Sequence, residues 1–137
     1  MNEKMLDQAV TLATGVGFAI LATTDDLSLP HITAVGALTH PEEDVIVVKE
    51  WFCPRTIENL ERHSSKVSIV AWNPDTDVGF QLLGKMEALT EEHVMNGYAA
   101  DEDLPLPQVQ RRLVVRIEEI LAFSQAPHRD EPADLEA

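Results

Sequence analysis

Val45 to Arg62 reads V-I-V-V-K-E-W-F-C-P-R-T-I-E-N-L-E-R, and the rest of the chain is organised around it. The β-branched run Val45–Val48 predicts a buried strand. Lys49, Trp51, Arg55 and Thr56 then follow within eight residues. Pro54 stands where a first helical turn would begin, and Ile57 and Leu60 continue at helical spacing. A strand running into a helix start beside two cations brings together N–H donors, the positive end of a helix and side-chain charge. Two readings are open: a seat for a phosphate, or an ordinary strand–helix junction with solvated cations and Trp51 in the core.

The charge balance sharpens the first reading. The 137 residues carry 10 Lys plus Arg against 24 Asp plus Glu, a formal net charge of −14. Such a chain does not present the clustered cations that nucleic acid requires, so no nucleic-acid partner is expected. A local basic site for an anion stands out against this background. The length fits one domain with one core. Cys53 is the single cysteine, which excludes an intrachain disulfide and a multi-cysteine metal site and favours a reducing compartment. The start M-N-E-K-M-L-D-Q does not read as a signal peptide, and no run approaches the roughly 20 apolar residues that span a bilayer. The expectation is a cytoplasmic protein with no membrane partner.

Outward from the central stretch, Met5, Leu6, Ala9, Val10, Leu12 and Ala13 form a helical stripe, predicting a helix over 3–14 with Gly15 as its stop. Residues 17–24 predict a strand, followed by a turn through Pro30. Residues 31–39, H-I-T-A-V-G-A-L-T, predict a second strand. Gly36 in it marks either a bulge or a close approach by a ligand or another backbone. His40–Asp44 is an acidic turn. After the short helix ending near His63, residues 66–72 and 78–89 predict two more strands, the second bending at Gly84. Thr90-Glu91-Glu92 resembles a helix start, with a helix continuing to Ala100. Residues 101–110 read as a loop, and Arg111–Ser124 alternates as the last strand. The domain spans 1–126, and the tail 127–137 has little to bury and reads as mobile.

Five or six strands with short turns and no βαβ alternation suggest a mainly β, antiparallel barrel. No G-x-G-x-x-G or phosphate-loop motif is present. His31, His40, His63, His93 and His128 lack metal-ligand spacing, so no metal is expected. Cys53 reads either as a thiol activated by a helix start or as a small residue at a tight junction. His31 stands where it can touch a ligand or lie at the surface. Trp51 and Trp72 are candidates for ring stacking or for the core.

In this order of elements the chain resembles the pyridoxamine 5′-phosphate oxidase-like FMN-binding split-barrel family. The likeness is carried by G-F-A-I-L-A-T-T, P-H-I-T-A-V, K-E-W-F-C-P-R-T-I-E-N-L, K-V-S-I-V-A-W, G-F-Q-L-L-G-K-M-E-A and R-I-E-E-I-L-A-F, together covering about Met5 to Gln125. The resemblance implies a six-stranded antiparallel split barrel with a few short helices. It also implies a homodimer with FMN at the subunit interface. By the same resemblance Ile32, Thr33, Ala34 and Val35 line the flavin, and Val48, Lys49 and Glu50 contact ribityl and phosphate. Arg55 and Thr56 grip the phosphate, and Gln81 faces the flavin edge. The implied activity is an FMN-dependent oxidoreductase acting on a small-molecule redox substrate, which the residues leave unnamed. The alternatives are a non-catalytic FMN electron carrier or store with an electron-transfer partner, or a split-barrel protein that binds haem or a deazaflavin. The C-terminal arginine-containing substrate motif of true pyridoxamine-phosphate oxidases is missing, which counts against vitamin conversion.

Overall fold

The structure is a computed structural model, and it describes residues 2–95 and 107–133. Helix α1 (Glu3–Val16) is capped by the Asn2 side chain, whose Oδ1 accepts from Met5 N at 3.1 Å. It runs past Gly15 and stops at Gly17, whose φ of 103° places it in the left-handed region and lets its N–H bond Ala13 O. Gly15 therefore continues the helix, and the stop lies two residues later than expected. Met5, Leu6, Ala9 and Ala13 form its buried stripe.

The strands are β1 (Ala19–Thr24), β2 (Pro30–Val35), β3 (Ala37–Glu42), β4 (Val45–Trp51), β5 (Lys66–Asn73), β6 (Val78–Met95) and β7 (Pro107–Ala122). They form one antiparallel seven-stranded sheet in the order β2-β1-β5-β6-β7-β4-β3. The expected count of six is corrected at Gly36. The stretch 31–39 is two strands, and they lie at opposite edges of the sheet. Because a single residue joins the two edges, the sheet must curl until they meet. Among the described residues the edges do not pair as a ladder, so the barrel is split rather than closed. The expected turn from His40 is also shorter, since β3 continues to Glu42.

Inward-pointing residues of alternate positions fill the barrel: Leu21, Val35, Leu38, Ile46, Val48, Ile69, Leu82, Leu113 and Val115 are all buried in one cluster with the α1 stripe. Trp51 belongs to it as well, 2% exposed with Nε1 donating to Val48 O at 3.1 Å. Gly84 sits at a register shift between β6 and β7, as its expected bend requires.

The helix expected from Thr90 to Ala100 is not there over its described part: β6 continues to Met95, pairing Thr90 with Arg112 and Glu91 with Arg111. A local cap signal loses to a long-range ladder in which two acids face two cations. Residues 96–100 of that helix, and 101–106 of the expected loop, lie outside the described residues, and 107–110 already belong to β7. The described chain after Phe123, to Ala133, carries further pairing. Short strands β8 (Ser124–Gln125) and β9 (His128–Arg129) pair, and Ala133 N donates to Ile120 O at 2.9 Å. Asp77 anchors this hairpin by accepting from Gln125 N, Ala126 N and Trp72 Nε1.

Between β4 and β5, helix α2 (Pro54–Glu58) has Pro54 in its first turn as expected. A turn of π-helix (Asn59–His63) extends it. Both are pinned to β1 by Asn59 Nδ2, which donates to Thr23 Oγ1 at 3.0 Å in a buried pair.

Candidate functional site

The candidate site is the corner where β2, the end of β4 and the start of α2 converge. Thr33 Oγ1 and Cys53 Sγ are 2.7 Å apart, joining the middle of β2 to the residue before α2. Three residues further along, Gly36 N donates to Glu50 O at 3.0 Å. These two links bring the β2 residues, Glu50, Arg55 and Thr56 into one neighbourhood. Cys53 is half-buried and partnered, which fits the tight-junction reading.

Strand alternation decides what each residue can offer. Ile32, 65% exposed, and Ala34 point outward, whereas Val35 is buried in the barrel. Val48 is fully buried in the core, so its side chain cannot meet a ligand, and its carbonyl accepts from Trp51. Lys49 is half-exposed and drawn to Glu92 at 3.6 Å, a carboxylate it shares with Arg112. Glu50 takes a φ of 61°, at the register shift between Val48 and Trp51 where β4 passes beside Gly36.

Arg55 is exposed, and Thr56 is 0% exposed with Oγ1 sealed from solvent without a hydrogen-bond partner. Thr56 can reach a phosphate through its backbone N–H. Helical N–H bonding begins only with Ile57, which donates to Cys53 O, so the N–H groups of Arg55 and Thr56 have no partner inside the helix. Arg62 and His63 add exposed basic groups at the other end of the same segment. An acid lies near His63 and Arg55. Asp25 accepts from Leu29 N and Leu27 N, and these bonds, with His63 and Arg55 nearby, hold its carboxyl below the usual range.

Gln81 stands apart. It lies on β6, three interstrand steps from Ala34 through Ile20 and Val70, about 14 Å along the sheet, and donates to Ser68 Oγ at 2.8 Å. One chain therefore does not bring Gln81 to Arg55. It does place Gln81 and Ala34 on one continuous outer face. Two rows cross that face, Ala34–Ile20–Val70–Gln81–Leu121 and Ile32–Ala22–Ser68–Leu83–Glu119, and most of their residues are apolar and half-buried or exposed. A depression of about 360 Å³ walled by Phe18, Ile20, Val70, Trp72 and Phe123 adjoins it. Trp72 is half-buried there, edge-to-face with Phe123 at 5.9 Å.

Sequence reasoning missed Asn59 and Thr23, whose pairing turns α2 so that Thr56 faces inward. It also missed Asp25 as the neighbour of Arg55; the D-D-L-S-L-P composition signalled only a turn. Among the described residues there is no cluster of three or more potential metal ligands, and no helix is long and apolar enough to cross a membrane.

The residues present fit a flavin phosphate ester in part. An exposed guanidinium, first-turn N–H groups and the outer strand of the sheet suit a dianion joined to a flat, hydrogen-bonding ring, while Val48 and the Thr56 hydroxyl do not face it.

No family model and no curated protein matches the chain. Solved structures do. HupZ from Group A Streptococcus is 17% identical with a TM-score of 0.65, over 93% of this chain and 98% of that one. An FMN-binding protein from Syntrophomonas wolfei is 20% identical with a TM-score of 0.64, over 90% of this chain and 89% of that one. A Clostridium acetobutylicum protein of the pyridoxinephosphate oxidase family, related to general stress protein 26, is 18% identical with a TM-score of 0.61, over 90% and 91%. The chain thus has the fold shared by pyridoxamine 5′-phosphate oxidase-like and FMN-binding split-barrel proteins.

Proposed function

We propose that this protein is an FMN-binding flavoprotein, an oxidoreductase whose flavin lies between two copies of the chain. The observation that carries the reading is the Thr33–Cys53 link. It sets the outward residues of an edge strand beside an exposed Arg55 and the open N–H groups of a helix start. Arg55 and the N–H groups of residues 55 and 56 hold the phosphate, where charge-assisted bonds are strongest. Lys49 and Glu50 lie toward the ribityl chain. Ile32 and Ala34, with backbone groups of β2, border the ring, and Gln81 reaches a ring edge from the partner copy. FMN supplies the hydride or electron transfer, and the chain binds and orients it and limits water.

The apolar outer face supports the homodimer. A barrel buries only its inner face, and rows of Ile, Val, Leu and Ala on the outside call for a partner surface. The likeness to an FMN-binding protein supports the cofactor.

The visible spectrum of the purified protein, before and after adding FMN, tests the reading. Two flavin bands and stoichiometric uptake of FMN are expected. A Soret band, or a colourless protein that takes up no FMN, overturns it. Oxidation of a reduced nicotinamide by the loaded protein then separates an enzyme from a carrier or store.

A further inference from the structure

His40 lies on β3, away from the candidate site, with its side chain only 9% exposed. Its Nε2 is 2.9 Å from Glu3 Oε1 and its Nδ1 is 2.7 Å from Asp7 Oδ1. An ionised carboxylate only accepts, so both contacts are hydrogen bonds only when both ring nitrogens carry protons. The geometry therefore selects the imidazolium. Glu3 Oε1 also accepts from Asp44 N at 3.0 Å, and Asp44 O in turn accepts from Ile117 N at 2.7 Å. Through these bonds one imidazolium ties the first two turns of α1 to β3, to the β3–β4 turn and onward to β7.

We propose that Glu3, His40 and Asp7 form a pH-operated latch, which holds the first turns of α1 on the β3–β4 hairpin and releases them when the imidazole loses its second proton. Neutral imidazole turns a lone pair toward one of the two carboxylates, so one attraction becomes a repulsion. The other charges near this corner do not compensate. Lys4 shares α1 with the two acids, and no bond links it to His40. Glu42, Glu43 and Asp44, from the hairpin, are acidic. Arg116, from β7, is bonded to Glu87, and it is drawn further to Asp44 and Glu42.

The direction of titration agrees. Burial disfavours charge on His40, but the bonds to Asp7 and Glu3 outweigh it and hold the pKa above its ordinary 6.5. A group whose pKa is raised on folding contributes stability that is complete below its unfolded value and is lost as pH rises through the folded value. Glu3 sets the acid limit. Its bond from the Asp44 N–H, with help from His40, lowers its pKa below 4.5, so its contribution disappears only as pH falls through that lowered value. The latch is closed between these limits and opens on the alkaline side.

Release has a local address. The same segment carries Met5, which is buried and helps to wall a cavity of about 400 Å³ with Phe80, Phe123 and Arg129. An open latch frees Met5 to leave that wall while the sheet stays paired.

The test is amide hydrogen exchange of the intact protein from about pH 5.5 to about pH 8.5, corrected for intrinsic rates, with an NMR titration of the His40 ring. His40 is expected to titrate above 6.5. The opening constant of Met5 and Leu6 should rise about tenfold for each pH unit by which its midpoint exceeds that value. Ile69 and Leu82 amides should keep their protection. His40→Gln, which gives one neutral donor to one carboxylate, should show weaker and pH-independent protection of the same turn. The proposal is overturned if His40 titrates at or below 6.5, if the wild-type turn opens equally at both pH values, if His40→Gln keeps the wild-type dependence, or if the sheet amides lose protection in parallel.

Discussion

Gly36 and Glu50 meet where the two edges of the sheet join: the Gly36 N–H donates to the Glu50 carbonyl at 3.0 Å, and a Cβ on Gly36 would lie 2.6 Å from Glu50 Cβ. Gly36→Ala should therefore destabilise the protein by about 1–3 kcal/mol, because neither backbone can give way without breaking that bond. Gly15→Ala is the control. Its helical position has nothing within 4 Å, and Ala there should stabilise by about 0.5–1 kcal/mol. Urea denaturation of the two variants should show opposite shifts in midpoint. Equal shifts would remove the special status given to this corner.

Arg55 is expected to read a phosphate. Arg55→Ala should weaken FMN by roughly 10- to 150-fold and riboflavin, which lacks the phosphate, hardly at all. Arg55→Lys should recover only part of the loss, since an ammonium has no planar fork. Asp25→Asn should act in the opposite direction. It keeps an oxygen for the Leu27 and Leu29 N–H groups while removing a negative charge near Arg55, so FMN should tighten severalfold and riboflavin should not. Fluorescence titration with the two ligands decides. Equal weakening of both by Arg55→Ala would mean that the residue shapes the pocket instead.

Thr56 separates a buried hydroxyl from a ligand contact. Its Oγ1 is sealed and unpartnered, so Thr56→Val should leave the free protein as stable or up to about 1 kcal/mol more stable. FMN affinity should be unchanged, because the backbone N–H survives the substitution. A loss of tenfold or more would place the hydroxyl on the phosphate.

Ile32 is the most exposed large apolar residue of the outer rows. Ile32→Glu should leave the fold intact, since the side chain packs on nothing inside the barrel, and should convert a dimer into monomers in analytical ultracentrifugation. A wild-type protein that sediments as a monomer with FMN bound would dispose of the interface altogether.

Asp77 gives a second pH limit, on the acid side. The N–H groups of Gln125 and Ala126, then Trp72 Nε1, hold its carboxyl below the ordinary 3.8. A lowered carboxylate pKa means stability that is present above 3.8 and lost as pH falls through the folded value. The β8–β9 hairpin should detach in that range, with a change in Trp72 fluorescence. Asp77→Ala should detach it at neutral pH. Retention of the hairpin in acid would show that the Ala133–Ile120 bond suffices.

Much of this was legible because it was local. Val45–Val48 announced a buried strand, and all four are buried. Pro54 announced the start of α2. The glycine within 31–39 marked the close approach of another backbone, one of its two open readings. What was illegible depends on partners far along the chain. Thr90-Glu91-Glu92 carries a cap signal, yet Arg111 and Arg112 claim it for a ladder. Arg55 and Thr56 were identifiable as residue types suited to a phosphate. Which of them faces water was not, because the roll of α2 is set by Asn59 reaching Thr23, 36 positions away. The outer face could be sensed from Val67–Trp72 alone, but its extent needs the register of five strands.

The position of Gly36 also says how the molecule can be divided. The hairpins β1–β2 and β3–β4 come from the first half of the chain and occupy the two flanks of the sheet, while β5, β6 and β7 fill the middle. A cut between Ser64 and Ser65 would separate a two-armed piece from a three-stranded meander, each with bare edges that only the other matches. The fold is thus made of two interlocking halves, suited to reassembly from fragments, with the one-residue elbow at Gly36 setting the spread of the arms that must receive the insert.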